Sequence, residues 1–539
     1  MGNCIGKWLP GQFGERPCPH APPELLVTKA SQPSRLTITC SPGHLIEVPR
    51  AGIPRSVPKG TLLLQNIKTL ATFNKDLGEI KDAAIYVERN VIQWVGRTAD
   101  LPPKYQDADL VLCGKDRIVI PGLVNSHHHM WQCLTRTVGT DEALFGWQEA
   151  CFPAWCGLHA HDLYTGCKLA MAELILTGCT TSTDLLYIYP NDCKFEDSVR
   201  AARDIGMRFH PTRGAVSMGQ SKGGLPPDEL VEDEDDILAD MKRVVEAFHD
   251  NSKYSMLRVG IAPNTPYTVT PELMVSAAKL ARSYEGVRMH THIAENKESV
   301  DFCLKKFGCR PGEYLKRVGW DKDDVWIAHC CQINDEEVKM WGENGIGTAH
   351  CACSNMRLAD GICPVRKLLN AGANVGLGVD GSASNDSGNM LGEAREAMFL
   401  ARSAGDPKGL SCREALELGI KGGARNLGRL DVGEIAPGFA ADFVAWNTDT
   451  LAWAGAHHDE VAALVLCPPG YVDLSVINGE VIVLDGELQT TDLPALIKEH
   501  NICSARLCAL LPKDKPAAQQ RAPPVDGCLP SGSHRGCGH

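Results

Sequence analysis

The sequence predicts an α/β protein, a (β/α)8 barrel with a small β-sandwich domain formed from both flanks of the barrel. Two observations support this fold class. Short apolar runs alternate with helical stretches through the middle of the chain, which is the rhythm of βα units around a parallel sheet. On either side of this middle, β-type runs follow one another without helices between them.

The flanking β-type runs lie before and after the alternating middle. Residues 62–66, 84–88 and 91–96 precede any helical stretch, and matching runs return at 441–446 and 474–481. We expect the two groups to pair with each other. The sequence therefore predicts one split β-sandwich over residues 61–120 and 428–490, with the barrel at 121–427 between its halves.

Eight apolar runs of the middle are predicted to be the barrel strands, and each leads into a polar residue. They are 117–120 into His127, 179–182 into Asp184, 207–210 into Arg213, 258–261 into Asn264, 286–291 into His292, 325–328 into His329, 345–349 into Ser354 and 374–378 into Asp380. Helices are predicted at 165–177, 236–249, 271–284 and 393–402. Because the carboxyl ends of barrel strands share one face, we expect these polar residues to converge.

Both ends of the chain depart from this rhythm. Residues 1–60 are rich in proline without a sustained period, which predicts an irregular N-terminal extension. Residues 491–539 are predicted to form a C-terminal helix and a disordered tail, since proline and glycine recur from about residue 513. Neither end is expected to contribute to the chemistry.

Composition excludes several classes of partner. The net charge is −12 and no basic stripe is visible, so a nucleic-acid partner is not expected. No apolar run approaches the roughly 18 residues of a membrane span. The 23 cysteines are scattered and no secretory signal precedes them, which is typical of a cytoplasmic protein. We therefore expect a small-molecule ligand.

Three histidines and one aspartate occur in the order expected of one metal site. His127 and His129 are two residues apart, so on an extended segment both rings point the same way while His128 points elsewhere. A run of three histidines alone is more often a feature of a surface loop. With His292 and Asp380 the set becomes three imidazoles and one carboxylate, which suits Zn²⁺ or Fe²⁺.

Three residues are candidates for the catalytic groups. Glu295 follows His292 by three residues and is predicted to carry protons as a general acid or base. His329 ends the next strand and is predicted to orient the water and substrate. Asp380 would bind the metal and accept the proton of the attacking water. The alternatives are a solvated glutamate, a structural barrel histidine and an aspartate that caps the following turn.

These motifs resemble those of a known family. The segments 121–129, His292-x-x-Glu295, His329 and 379–386 are similar to the amidohydrolase superfamily, and more closely to its triazine hydrolase and nucleobase deaminase branch. That branch includes the 8-oxoguanine deaminase and hydroxyatrazine aminohydrolase types. The segments 208–214, 223–228 and 354–358 also match the branch. The resemblance extends from about residue 62 to residue 487.

The resemblance implies a mononuclear site and a deaminase reaction. It implies His127, His129, His292 and Asp380 as ligands of one divalent metal, Zn²⁺ first with Fe²⁺ as the alternative, and Glu295 and His329 as catalytic groups. Dinuclear relatives use a lysine at the end of strand four, but residues 260–264 contain none. Both Glu295 and Asp380 are present, which favours removal of an amine over dehalogenation. Members of the family often form homo-oligomers.

The substrate predicted from the resemblance is an amino-substituted N-heterocycle, such as 8-oxoguanine or a related purine, pyrimidine or triazine. Gln132, Arg213, Gln220 and Asn264 follow strands and are the candidate substrate contacts, with structural roles as the alternative. Two departures from the family pattern, 184–187 and Ala352, suggest a different ring. A hydrolase of a halide, thioether or cyclic amide, and a barrel used only as an assembly scaffold, remain the alternative functions.

Overall fold

A computed structural model describes residues 60–403, 405–467 and 469–512 of the chain. The predicted N-terminal extension, apart from Gly60, and the predicted tail from residue 513 lie outside the described residues. The strands are, in chain order, β1 Thr61–Ala71, β2 Glu79–Glu88, β3 Val91–Arg97, β4 Leu110–Cys113, β5 Arg117–Pro121, β6 Leu123–Asn125, β7 Cys179–Leu186, β8 Arg208–Ala215, β9 Gly260–Pro263, β10 Met289–Ile293, β11 Val325–His329, β12 Gly347–His350, β13 Asn374–Leu377, β14 Phe443–Asn447, β15 Leu474–Ile477, β16 Glu480–Leu484 and β17 Glu487–Leu488.

The α-helices alternate with the strands through the middle of the chain. They are α1 Leu144–Cys156, α2 Ala160–Leu176, α3 Phe195–Ile205, α4 Glu234–Phe248, α5 Pro271–Ala281, α6 Lys297–Phe307, α7 Pro311–Val318, α8 Asp335–Asn344, α9 Ala352–Arg357, α10 Val365–Asn370, α11 Met390–Ser403, α12 Cys412–Glu417, α13 Gly423–Asn426, α14 Glu460–Leu466 and α15 Leu493–Cys508. No helix in the described part of the chain combines the length and apolar character that a membrane span requires.

The predicted barrel is confirmed. Strands β6 to β13 form one parallel sheet in sequential order, so each strand pairs with the next along the chain. The first and last strands close on each other, because the Ser126 N–H donates to the Leu377 carbonyl across 2.9 Å. All eight strands therefore end at one face, which is where a barrel of this kind places its active site.

The small β domain formed from both flanks is also confirmed. Strands β1 to β5 and β14 to β17 make a single nine-stranded mixed sheet, joined in the middle by the antiparallel pair β5 and β14. The two sequence halves share one apolar core, in which Leu62 and Val119 pack with Phe443 and Val476. Neither half could bury this core without the other.

One strand prediction was wrong. The run 117–120 was expected to be the first barrel strand, but β5 belongs to the nine-stranded sheet and β6 takes the place in the barrel. Gly122 separates the two strands, and a Cβ at this position would collide with the Thr180 side chain of β7. The chain changes sheets at this glycine because only a residue without a side chain fits against β7.

Candidate metal centre and cleft

The four predicted metal ligands meet at the carboxyl end of the barrel. His127 and His129 follow β6, His292 lies in β10, and Asp380 follows β13. The Nε2 atoms of His129 and His292 are 3.1 Å apart, and Asp380 Oδ1 lies 3.2 Å from His127 Nε2 and 3.5 Å from His129 Nε2. All four side chains are buried. The adjacent His128 turns away and accepts the His129 N–H at its Nδ1.

Each ligand histidine is oriented by an acceptor behind its Nδ1. His129 Nδ1 lies 2.8 Å from the Leu185 carbonyl, and His292 Nδ1 lies 2.8 Å from the Asn264 carbonyl. A carbonyl only accepts, so both rings carry their proton on Nδ1 and present the lone pair of Nε2 to the centre.

In His127 the proton is also placed on Nδ1, in this case by a second histidine. Its Nδ1 lies 2.7 Å from His290 Nε2, and His290 Nδ1 lies 2.8 Å from the Trp326 carbonyl. The carbonyl fixes the proton of His290 on Nδ1, so its Nε2 accepts the proton of His127. His127 Nε2 therefore also points its lone pair at the centre.

Asp380 is held as a carboxylate. Its Oδ2 accepts hydrogen bonds from Ser354 Oγ at 2.6 Å and Ser384 Oγ at 3.1 Å. Burial alone would raise the pKa of Asp380, but the neighbouring imidazoles, first of all His127 with its Nε2 3.2 Å from Oδ1, hold this pKa well below its ordinary value. Its φ of 59° is left-handed, a conformation that costs a residue with a side chain of the order of 1–3 kcal/mol.

Burial favours the neutral form of two of the candidate ligands, His129 and His292. It lowers the pKa of His129 to about 3, with a further contribution from the neighbouring His127, and it lowers the pKa of His292 well below the ordinary value. A neutral imidazole has the free lone pair that a metal needs. Proton competition for these two rings is therefore weak at neutral pH.

The arrangement fits a metal ion. The donor atoms of His127, His129 and His292 lie within 4.8 Å of one another, as do those of His127, His329 and Asp380. His127 Nε2 is buried and makes no hydrogen bond within the described residues, although its ring is oriented from behind. Three imidazoles and a carboxylate form a donor set suited to a divalent transition metal.

Glu295 and His329 lie beside this centre. His329 Nε2 is 3.3 Å from Glu295 Oε1, and His329 Nδ1 is 2.9 Å from Asn355 Oδ1. Burial raises the pKa of Glu295 well above its ordinary value, and the negative charges of Asp360 and Asp380 add to this effect. Burial also lowers the pKa of His329 to about 4. The pair therefore combines a carboxyl that retains its proton with a neutral imidazole.

A small cleft opens over the candidate metal centre. One side is formed by α1, whose Leu144, Trp147 and Gln148 line the cleft, and Trp147 Nε1–H donates to the Ala383 carbonyl across 2.9 Å. Tyr187 and Tyr267 supply further aromatic walls. Aromatic side chains around a small buried volume suit a planar ring as ligand.

Two of the four predicted substrate contacts line this cleft. They are Gln132 and Asn264, and the side-chain oxygen of each is buried without a hydrogen-bond partner in the described part of the chain. Unpartnered oxygens of this kind are available to accept from the N–H groups of a ligand.

The structure does not bring Arg213 and Gln220 to the cleft. The Arg213 guanidinium pairs with Glu232 and Asp240 and lies 4.0 Å over the Tyr189 ring, in the wall of a separate cavity. Gln220 is exposed on a 3₁₀ turn. Arg213 lies within β8, which extends to Ala215, and its ion pairs direct the side chain away from the cleft, whereas Gln220 lies in the loop after the strand.

Several cleft residues were not predicted from the sequence. Trp147 and Gln148 lie on a helix inserted after β6, outside the regular alternation, and no motif marks them. Tyr187 follows β7 directly, so the rule used for the other strands would have identified it. Asp360 does not line the cleft, but its charge acts on Glu295; it is buried with both carboxylate oxygens unpartnered among the described residues, and its loop position gave no signal.

The fold and the centre define a metal-dependent hydrolase built on a (β/α)8 barrel. Residues 118–482 match the amidohydrolase family, and the chain belongs to that family. It is an enzyme that hydrolyses carbon–nitrogen bonds other than peptide bonds, a metal-dependent aminohydrolase of amino-substituted N-heterocycles.

Two curated relatives and one solved structure are similar to this chain. The 8-oxoguanine deaminase of Pseudomonas aeruginosa is 42% identical over 396 residues, 73% of this chain and 88% of its own. The hydroxydechloroatrazine ethylaminohydrolase of Pseudomonas sp. (strain ADP) is 33% identical over 72% of this chain and 82% of its own. The atrazine chlorohydrolase of Arthrobacter aurescens, solved in complex with zinc, superposes with a TM-score of 0.77 at 30% identity over 84% of this chain and 100% of its own.

Proposed function

We propose that His127, His129, His292 and Asp380 hold one Zn²⁺ ion. The support is the convergence of their donor atoms on one buried point, together with the acceptors that fix each ring. The similar atrazine chlorohydrolase was solved with zinc, which favours zinc over iron here. An ion bound at this centre would supply hydroxide at neutral pH by lowering the pKa of water toward roughly 7.

The proposed reaction uses three side chains of the chain to move protons and orient the water. Glu295, which retains its proton, donates it to the ring nitrogen next to the carbon under attack. Asp380 accepts one proton of the attacking water and passes it to the departing amine, and the remaining hydroxyl proton returns to Glu295 as the ring carbonyl forms. Neutral His329 donates its Nδ1–H to Asn355 Oδ1, so its Nε2 would accept a hydrogen bond from the attacking water and orient it.

The proposed substrate is a planar amino-substituted ring such as 8-oxoguanine or a related purine, pyrimidine or triazine. The sequence identity to the 8-oxoguanine deaminase supports this ring class. The cleft supports it independently, because Trp147, Tyr187 and Tyr267 enclose a small volume. In this proposal the oxygens of Gln132 and Asn264 accept from ring N–H groups.

The experiment is ammonia release from a panel of aminopurines, pterins, aminopyrimidines and amino-triazines, measured on purified protein with quantified metal. In the Glu295→Gln variant we expect kcat/KM to fall by about 10²–10⁴-fold while the metal content stays at one ion per chain. Glu343→Gln, a change at an exposed glutamate of α8, is the control and should leave both quantities unchanged.

The outcomes separate the parts of the proposal. Full metal content with no ammonia from any ring would point to a different leaving group. Absence of bound metal in the purified and metal-supplemented protein would refute the assigned centre.

A further inference from the structure

A second cavity adjoins the cleft on the side where Glu295, the proposed general acid, lies. It is smaller than the cleft and is called the side pocket here. Cleft and side pocket share four wall residues: Thr265, Tyr267, His292 and Glu295. Because Glu295 lines both cavities, a substituent on the ring carbon next to the nitrogen that faces Glu295 would point toward the side pocket.

The far wall of the side pocket offers almost no hydrogen-bonding group. It is made by five buried residues: Pro266, Ile293, Ala294, Ser299 and Cys303. Four of these present carbon or sulfur. The fifth, Ser299, already uses its hydroxyl at the start of α6, where Oγ donates to the Asn296 carbonyl at 2.7 Å and accepts the Asn296 N–H at 3.3 Å.

The far wall of the side pocket favours an alkyl substituent over a polar one. A polar substituent placed in the side pocket would lose its hydrogen bonds to water and find no replacement on the far wall. An alkyl group would lose nothing and would gain burial against carbon and sulfur. The thiol of Cys303 does not change this, because burial raises its pKa to about 12 and keeps it neutral.

We propose that the side pocket is a substrate subsite for a small alkyl group on the ring carbon that lies across the nitrogen facing Glu295. The inference rests on the proposed function, since it needs a ring held between the metal centre and Glu295. It makes the enzyme selective for alkyl-substituted amino-heterocycles within the ring class.

The test uses matched rings that differ only at this carbon. In the 6-aminopurines it is C2, so adenine, 2-methyladenine and 2-ethyladenine form the series, with 2-hydroxymethyladenine as the polar counterpart of the ethyl compound. Each is measured as a substrate and as a competitive inhibitor of the best ring in the panel. We expect kcat/KM or 1/Ki to rise about fourfold for each added carbon. The hydroxymethyl compound should bind about tenfold more weakly than the ethyl compound.

Two substitutions of Cys303 test whether the side pocket causes the preference for the alkyl-substituted rings. The readout is the ratio of kcat/KM (or 1/Ki) for 2-ethyladenine to the same quantity for adenine. A general loss of activity lowers both values together and leaves this ethyl-to-hydrogen ratio unchanged. Cys303→Leu fills the pocket and should reduce the ratio to about one or below, whereas Cys303→Ala enlarges it and should preserve or raise the ratio. Cys309→Leu changes a buried cysteine outside both cavity walls and should leave the ratio unchanged.

The result that overturns the inference differs from the result that overturns the proposed function. The side pocket is refuted as a subsite if ammonia is released but the ethyl-to-hydrogen ratio is one or below, or does not change in Cys303→Leu. Either result leaves the proposed aminohydrolase function intact. Failure of every ring to react or to inhibit refutes the proposed function and the subsite with it.

Discussion

At the scale of single residues, the state of each histidine in the centre is decided by the atom behind its Nδ1. Leu185 and Asn264 supply carbonyls to His129 and His292, and His290 supplies a ring nitrogen to His127. Partners of this kind hold a ligand ring in one tautomer and one orientation, and their loss typically costs 10–100-fold in metal affinity. The affinity of the centre therefore depends on residues that never touch the ion.

His290 provides the sharpest test of this dependence. Its ring stacks on Trp326 with centroids 4.4 Å apart and planes at 10°, so a phenyl ring fits the same space. We expect His290→Phe to lower metal affinity by about 10–100-fold, because His127 Nδ1 loses its acceptor, while the protein still folds although the hydrogen bond to the Trp326 carbonyl is also lost. The measurement is the dissociation constant for Zn²⁺ by competition with a chelating dye.

His210 is the matched control. It is also a fully buried barrel histidine with an aromatic contact to Trp326, but neither of its ring nitrogens has a hydrogen-bond partner in the described residues. His210→Phe should leave metal affinity unchanged, and replacing an unpartnered polar ring by an apolar one should not lower thermal stability. Equal loss of affinity in both variants would show that ring packing, and not the acceptor at His290, sets the affinity.

At the scale of elements, the glycine between β5 and β6 decides which strand enters which sheet. The sequence could predict the alternation and the strand ends that contain His292, His329 and Asp380, because buried parallel strands read as continuous apolar runs. It could not separate β5 from β6, since two apolar runs joined by Pro121 and Gly122 look like one strand. Arg213 was misplaced for a related reason: the strand extends to Ala215, and the sequence did not show that the Arg213 side chain points away from the cleft.

The role of this glycine can be tested by stability. Gly122→Ala places a Cβ against Thr180 of a neighbouring strand, where neither backbone can move away, so we expect a loss of at least about 1–3 kcal/mol. Gly392→Ala is the comparison, because the nearest atom to its added Cβ is 3.6 Å away, and alanine is preferred over glycine in a helix. The midpoints of thermal unfolding should fall for Gly122→Ala and stay or rise for Gly392→Ala. A small effect at Gly122 would mean that β5 and β6 can shift relative to β7.

At the scale of the whole molecule, a buried ion pair joins the barrel to the nine-stranded sheet. Arg208 begins β8, and Asp442 directly precedes β14. The guanidinium meets the carboxylate through two hydrogen bonds, Nε to Oδ2 at 2.6 Å and Nη2 to Oδ1 at 2.8 Å, and both side chains are at most 2% exposed. Arg208 also donates to the carbonyls of Tyr254 and Ser255, so it ties three segments at the amino-terminal end of the barrel.

Removing one partner of this pair should cost much more than removing both. Arg208→Met leaves the Asp442 carboxylate buried without its cation, and we expect a loss of about 3–5 kcal/mol in the free energy of unfolding. The double variant Arg208→Met with Asp442→Leu should recover part of this loss, because no charge remains buried. The recovery is incomplete because the Asn478 N–H, which donates to Asp442 Oδ1 in the unchanged protein, loses its acceptor. The exposed pair of Lys242 and Glu246 on α4 is the control, and Lys242→Met should produce no measurable change. Denaturant titrations of the four proteins, followed by fluorescence, test this ordering: if the double variant were less stable than Arg208→Met, the cost would come from lost packing at the junction and not from an unpaired charge.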